Sequence, residues 1–267
     1  MRATPTVFCL AVSLLAGGLL TPVRLDACAR AVYLGPNTTI ITVRSMDWVS
    51  DIGTNLWVMP RGIARDGAAG PASMKWTSKY GSVISSAFDA ATADGMNEQG
   101  LVANLLYLAE SQYPMPKPND PRRTLSIPAW AQYVLDNFST VAEAVDALSE
   151  EEFYVVPVET PDGHAGTVHL AISDPTGDSA IFEYVDGQLV IHHGREYQVM
   201  TNSPIYSQQL ALDAYWKQIG GTTMLPGTNR ASDRFVRASF YINAIPQTDN
   251  IDEAVASAFS VIRNVSV

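Results

Sequence analysis

Two cysteines occur in the chain, Cys9 and Cys28, and the second stands where it can do chemistry. It follows Met1-Arg2, an apolar stretch from Val7 to Leu20, and a small residue, Ala27. That is the layout of an export signal, with a core too short for an ordinary membrane span. Cleavage after Ala27 makes Cys28 the first residue and gives it both a thiol and a free α-amine. In model chains these titrate near about 8.5 and about 8. The amine can then act as base for the sulfur beside it, a nucleophile–base pair that needs no histidine. Leu25-Asp26-Ala27-Cys28 also has features of a lipoprotein signal. In that alternative Cys28 is lipidated, its amine acylated and its chemistry lost. Leu25 is large for simple cleavage, and Asp26 fits the lipoprotein pattern poorly.

Residues 1–27 are thus read as a signal and 28–267 as one domain, long enough to bury a substantial core. The chain carries a formal net charge of −10 at pH 7, which argues against nucleic acid and anionic membrane surfaces as partners. Cys28 is the one cysteine outside the signal. A lone unpaired thiol is unusual in an exported protein, which would work in an oxidising space. Its position at the expected terminus favours a needed thiol over a leftover one. His164, His169, His192 and His193 match no standard zinc spacing, so neither a metal nor another cofactor is expected.

The elements that would position Cys28 follow from periodicity. Ala31–Leu34, turn residues 35–38 and the β-branched run 39–43 suggest a hairpin beginning near Cys28. Strands are expected at 56–59, 82–88 and 101–108, with 94–100 as a turn. Helices are expected from Ser126 to Asn137 and again from Ser139 or Thr140. A second antiparallel meander spans 168–201, and helices cover 208–216, 233–242 and 251–263. Strands, helices, strands, helices is the order of an α+β chain, with two antiparallel sheets covered by helices on their outer faces. Arg44 and Asp47 are three residues apart, so a regular strand sends them to opposite faces. For both to reach Cys28, the strand is expected to end or bend near Ser45-Met46.

Six segments in order carry a family resemblance: Cys28 at the cut, Arg44-Ser45-Met46-Asp47-Trp48, residues 57–62, Asp94-Gly95-Met96-Asn97-Glu98-Gln99-Gly100-Leu101, residues 200–204, and Arg234-Phe235-Val236-Arg237-Ala238. From Cys28 to Val267 the chain resembles the choloylglycine hydrolase family of N-terminal nucleophile hydrolases, which includes penicillin V acylases and bile salt hydrolases. The resemblance implies a four-layer αββα sandwich. It implies Cys28 as nucleophile, Arg44 as the cation beside it, and Asp47 as the carboxylate that holds the α-amine. Asn202 becomes the side-chain donor of the oxyanion hole, and Arg234 completes the charge network. Tyr107 supplies a backbone N–H donor; a tyrosine there resembles the penicillin acylase side of the family. Asn202 alone would also fit a turn start, and Arg234 a partner for Asp233. Trp48 and Trp57 suit an acyl pocket or ordinary core.

The implied activity is hydrolysis of linear N-acyl amides through an acyl-thioester, on a small-molecule substrate, by an exported bacterial protein, periplasmic or secreted. Phenoxyacetyl amides such as penicillin V come first, then bile salts and N-acyl homoserine lactones. A homo-oligomer, a tetramer by resemblance, is expected. The rival from another class is a lipidated, non-catalytic protein that binds acyl compounds. Family members also continue beyond the position of Val267 with strand-rich chain, so the C-terminal strands are expected to be missing here.

Overall fold

The computed structural model describes residues 27–221 and 223–267. The signal-like segment lies outside them except for Ala27. In chain order the strands are β1 (Ala27–Leu34), β2 (Ile40–Asp47), β3 (Leu56–Met59), β4 (Ala64–Asp66), β5 (Lys75–Thr77), β6 (Ser82–Ala87), β7 (Ala91–Asn97), β8 (Val102–Tyr107) and β9 (Arg123–Ser126). Helices α1 (Ile127–Asn137) and α2 (Val141–Ser149) follow. After them come β10 (Phe153–Val156), β11 (Val158–Glu159), β12 (Ala165–Gly166), β13 (Val168–Ser173), β14 (Ser179–Val185), β15 (Gln188–His193) and β16 (Val199–Thr201). The chain closes with α3 (Tyr206–Ile219), α4 (Ala231–Ala244) and α5 (Ile251–Val265).

Seven strands form one antiparallel sheet in the order β15-β14-β13-β8-β7-β6-β3, and β16-β1-β2 form a second. One core packs α1 and α2 on the outer face of the large sheet, around Trp130, Leu135, Leu170 and Phe182. The other joins the small sheet to the large one and to α4 and α5, through Ala31, Leu106, Ile181, Phe235 and Ala258. Helix, sheet, sheet, helix is the expected four-layer order.

Alternation along β1 serves both neighbours. Ala29, Ala31 and Tyr33 are buried in the core that includes α4 and α5. Arg30, on the opposite face, reaches the large sheet, where its Nη2 donates to Ile172 O at 3.1 Å and Nη1 to Ser179 Oγ at 3.1 Å. Burial lowers the Arg30 pKa to about 10.

Residues 94–97, expected as a turn, are strand. The β6–β7 register runs through Asp94, Gly95 and Met96, and the turn comes at Glu98–Gly100. Gly95 is required by α1: a Cβ there would lie 2.6 Å from Leu135 Cδ1 and 2.7 Å from Ile84 Cγ2. Asn97 Nδ2 donates to Leu135 O (2.9 Å) and Phe138 O (2.8 Å), satisfying carbonyls at the end of α1. Much of this motif therefore seats a helix.

Three strands do not span seven. Along β3, β6 and β7 the facing residues Val58, Val83 and Met96 are 78 %, 48 % and 53 % exposed. Among the described residues β2 pairs only with β1, so its far edge is open.

Candidate active site

The β1–β2 hairpin sets the site. Its register is regular to its end, with Ala27 opposite Asp47, Cys28 opposite Met46 and Arg30 opposite Arg44. The expected break near Ser45-Met46 is absent. Arg44 and Asp47 do face opposite ways, and each acts from its own side. Arg44 lies diagonally across from Cys28 on the same face. Its Nη2 stands 3.4 Å from Cys28 Sγ and 2.9 Å from Leu105 O, while Nη1 pairs with Asp94. Burial alone would lower the Arg44 pKa, but Asp94 and Cys28 outweigh it and hold the guanidinium above its ordinary value.

Asp47 is on the other side, within the field of the buried Arg234. Among the described residues its Oδ2 is buried with no hydrogen-bond partner. It makes no bond to the Cys28 nitrogen, which is here a peptide N–H acylated by Ala27. That N–H donates to Asn202 Oδ1 at 2.6 Å. Arg234 Nη2 donates to the same oxygen at 2.9 Å, and its Nη1 donates to Cys28 O at 2.7 Å. Burial lowers the Arg234 pKa to about 10, against the opposing pull of Cys28 and Asp47. Each hydrogen bond from such a charged group contributes roughly 1.5–3 kcal/mol, and a buried guanidinium without them would be untenable.

Asn202 Nδ2 donates to Tyr107 O at 2.7 Å, leaving its second N–H free for another acceptor. The Tyr107 carbonyl is available because the sheet parts here. Paired register between β7 and β8 stops at Asp94–Asn104. Leu108 N donates to Thr167 O on the β13 side, so the polar groups of Leu105 and Tyr107 point the other way, toward the parting. Arg44 takes the Leu105 carbonyl there and Asn202 that of Tyr107. The N–H of Tyr107 points into the same gap.

Arg44, Tyr107, Asn202 and Arg234 thus gather about Cys28, whose thiol is buried and in no disulfide, while Asp47 lies on the other face beside Arg234. Two residues were missed from the sequence. Asp94 clamps Arg44 and is itself held by Asn104 Nδ2 at 2.8 Å. Gln209, on α3, donates through Nε2 to Asn202 O and Pro204 O and fixes the backbone that presents Asn202.

An apolar cavity of ≈ 130 Å³ opens on Cys28, walled by Met46, Trp48, Tyr107, Ile127 and Val158 among others. Trp48 packs edge-on to Tyr107, ring centroids 5.6 Å apart. Trp57 does not belong here. It lies on β3, donates to Asp89 Oδ1 at 3.0 Å, and lines a separate groove with Trp76 and Arg65. A larger hollow of ≈ 700 Å³ beside the open edge of β2 reaches Arg44 and Asp94 from behind, without Cys28 in its wall. Among the described residues no group of three or more His, Cys, Asp or Glu side chains could hold a metal ion, and no helix is long and apolar enough to cross a membrane.

Two antiparallel sheets packed together and flanked by helices, with a cysteine at the head of β1, have the fold of the N-terminal nucleophile hydrolases. The chain belongs to the choloylglycine hydrolase family of linear amide C–N hydrolases, which it matches over residues 28–267. It is 55% identical over 261 residues to the penicillin V acylase of Pectobacterium atrosepticum, covering 90% of this chain and 69% of that protein. A bile salt hydrolase/transferase of Clostridium perfringens is 28% identical over 199 residues, covering 66% and 59%. Among solved structures, penicillin V acylase from Agrobacterium tumefaciens superposes with a TM-score of 0.82 at 64% identity, over 90% of this chain and 73% of that one. The chain is a linear amide hydrolase by family.

Proposed function

We propose that this hydrolase is an acylase of the penicillin V type, acting through Cys28 once the Ala27–Cys28 bond is cut. The observation that carries the reading is the apolar cavity opening at a thiol that Arg44 flanks at 3.4 Å. A cavity of about 150 Å³ holds benzene, so ≈ 130 Å³ suits a single ring of a phenoxyacetyl group. The named activities of the Pectobacterium and Agrobacterium relatives agree with the single-ring choice.

In this mechanism Sγ attacks the amide carbonyl carbon and forms a C–S bond. The α-amine of Cys28 accepts the thiol proton and passes it to the departing amine as the C–N bond breaks. Water then cleaves the thioester, releasing the acid and restoring the thiol. The second N–H of Asn202 and the N–H of Tyr107 receive the oxyanion, each such donor lowering the barrier by on the order of 3 kcal/mol. Asp47 Oδ2, buried without a partner, is the acceptor that the newly charged amine would require. Arg234 holds both Asn202 and the Cys28 carbonyl in place. The same reading takes the chain as exported from a bacterial cell, as its first 27 residues suggest, and as a homo-oligomer.

The test is turnover of penicillin V by protein beginning at Cys28, together with Cys28→Ala and Cys28→Ser. Loss of activity in both variants supports the reading. Full turnover by either would remove Cys28 as nucleophile. Intact mass settles the rival: a diacylglyceryl adduct on Cys28 would end the acylase account.

A further inference from the structure

The wall of the acyl cavity is held by a carboxylate that lies outside it. After β2 the chain leaves the sheet at Trp48 and loops to β3. The hairpin of β11 and β12 comes down from the other side, placing Val158, Thr160 and Gly166 on the cavity. Asp162, at the tip of that hairpin, joins the two loops. Its Oδ2 accepts from Trp48 Nε1 at 2.8 Å and from Ser50 Oγ at 2.9 Å. Its Oδ1 accepts from Thr160 Oγ1 at 2.6 Å and lies 3.1 Å from His164 Nδ1. His164 packs edge-on to Trp48, centroids 5.6 Å apart, on top of the Trp48–Tyr107 contact. Three donors converge on this one carboxylate, with the His164 ring in close contact. Two of the three come from the opposite loop, so the arrangement exceeds what closing the hairpin alone requires.

We infer that Asp162 is a positioning residue that determines acyl specificity: by fixing the Trp48 indole and tying the two loops together, it sets the width of the ring-binding cavity. This inference rests on the acylase reading above. An indole with a hydrogen-bonded N–H keeps one ring orientation, whereas a free one samples several rotamers. The site is consequently shaped before the acyl group arrives, which lowers the ordering cost of binding a flat ring. A short aliphatic acyl group makes little use of that wall. The carboxylate touches no reacting atom, so its loss should appear in binding of the ring, with the chemical step preserved.

The experiment compares phenoxyacetyl and butanoyl amides of one chromogenic aminobenzoate, using protein beginning at Cys28 and the variants Asp162→Ala, Asp162→Asn, Trp48→Phe and Trp48→Phe/Asp162→Ala. In Asp162→Ala the KM for the phenoxyacetyl amide should rise about tenfold with kcat little changed. The butanoyl amide should stay within about twofold of wild type. Asp162→Asn, which keeps one acceptor oxygen, should fall between. In the Trp48→Phe background the alanine change should add nothing further. An equal loss on both amides, or a full further loss without the indole, would show a merely structural loop and overturn the inference. So would unchanged selectivity in both Asp162 variants. Calorimetric binding of phenoxyacetate, weakened about tenfold in Asp162→Ala, reads the clasp without turnover. Wild-type protein that binds phenoxyacetate but cleaves neither amide would therefore strike the acylase reading alone.

Discussion

Asp94→Asn is the most exacting perturbation of the site, because it changes no shape. Asp94 uses both carboxylate oxygens as acceptors, Oδ2 for Arg44 Nη1 and Oδ1 for Asn104 Nδ2. An amide accepts at one position only. The other then offers an N–H, which Asn104 can meet only by turning its own amide so that its unpartnered Oδ1 faces position 94, and no orientation restores the negative charge that faced Arg44. With Arg44 at 9% and Asp94 at 17% side-chain exposure, water offers little relief. Losing one partner of a buried pair costs about 3–5 kcal/mol, and the residual exposure reduces this to roughly 2–3 kcal/mol of folding stability. Arg44 would keep its contacts to Leu105 O and Ser45 O but lose the anchor that aims Nη2 at the sulfur. A shift of that kind costs on the order of a hundredfold in rate, equivalent to about 2.7 kcal/mol. Urea titration gives the first quantity and initial rates on penicillin V the second, with kcat affected more than KM. A variant as stable as wild type, with kcat/KM within about threefold, would refute the claim that Asp94 holds the cation.

Three further outcomes are expected. Trp57→Ala should leave kcat/KM on penicillin V unchanged and alter stability by less than about 0.5 kcal/mol, since the ring lies on an exposed strand away from Cys28; a large loss of kcat/KM would return Trp57 to the site. Gly95→Ala should lower stability by about 1–3 kcal/mol in a urea titration, because the methyl meets Leu135 and Ile84. Hydrogen bonds from Thr160 first, then Trp48, hold the Asp162 carboxyl below the usual carboxylate range. A group depressed in this way contributes fully above the ~3.9 of a free aspartate and loses that contribution only as pH falls toward its folded value. The preference for phenoxyacetyl over butanoyl amides should therefore be the same at about pH 5 and about pH 7.5, and a decline at the lower value would count against the clasp.

Much of the site was legible because its parts are tied to short local signals. Cys28 after Ala27, Arg44 and Asp47 on one β-branched strand, and Asn202 before Pro204 all lie where the sequence places them. The helices at 127–137 and 251–265 begin within a residue or two of where periodicity starts them. What escaped depends on contacts distant in sequence. The Asp-Gly at 94–95 reads as a turn by local propensity, yet the close approach of α1 needs the glycine in mid-strand. That misreading concealed the role of Asp94. The expected bend in β2 came from requiring two side chains to reach one residue from a single face; α4 instead brings Arg234 to the opposite face, where Asp47 lies. Trp57 resembles Trp48 in type, and only strand pairing shows that it faces a different groove. Asp162 sits in a polar hairpin tip that looks like any solvent loop until its partners across the gap are known.

The parting of β7 from β8 divides labour within a single residue. Tyr107 meets Asn202 through its main chain, while its ring meets Trp48. Every amino acid would keep the carbonyl that Asn202 meets, and every one but proline would also keep the N–H proposed to receive the oxyanion, whereas nearly every one would alter the contact with Trp48. Position 107 is thus a place where taste can be changed without dismantling the machinery. A saturation library there should redistribute acyl preference while turnover persists, with proline as the predictable failure.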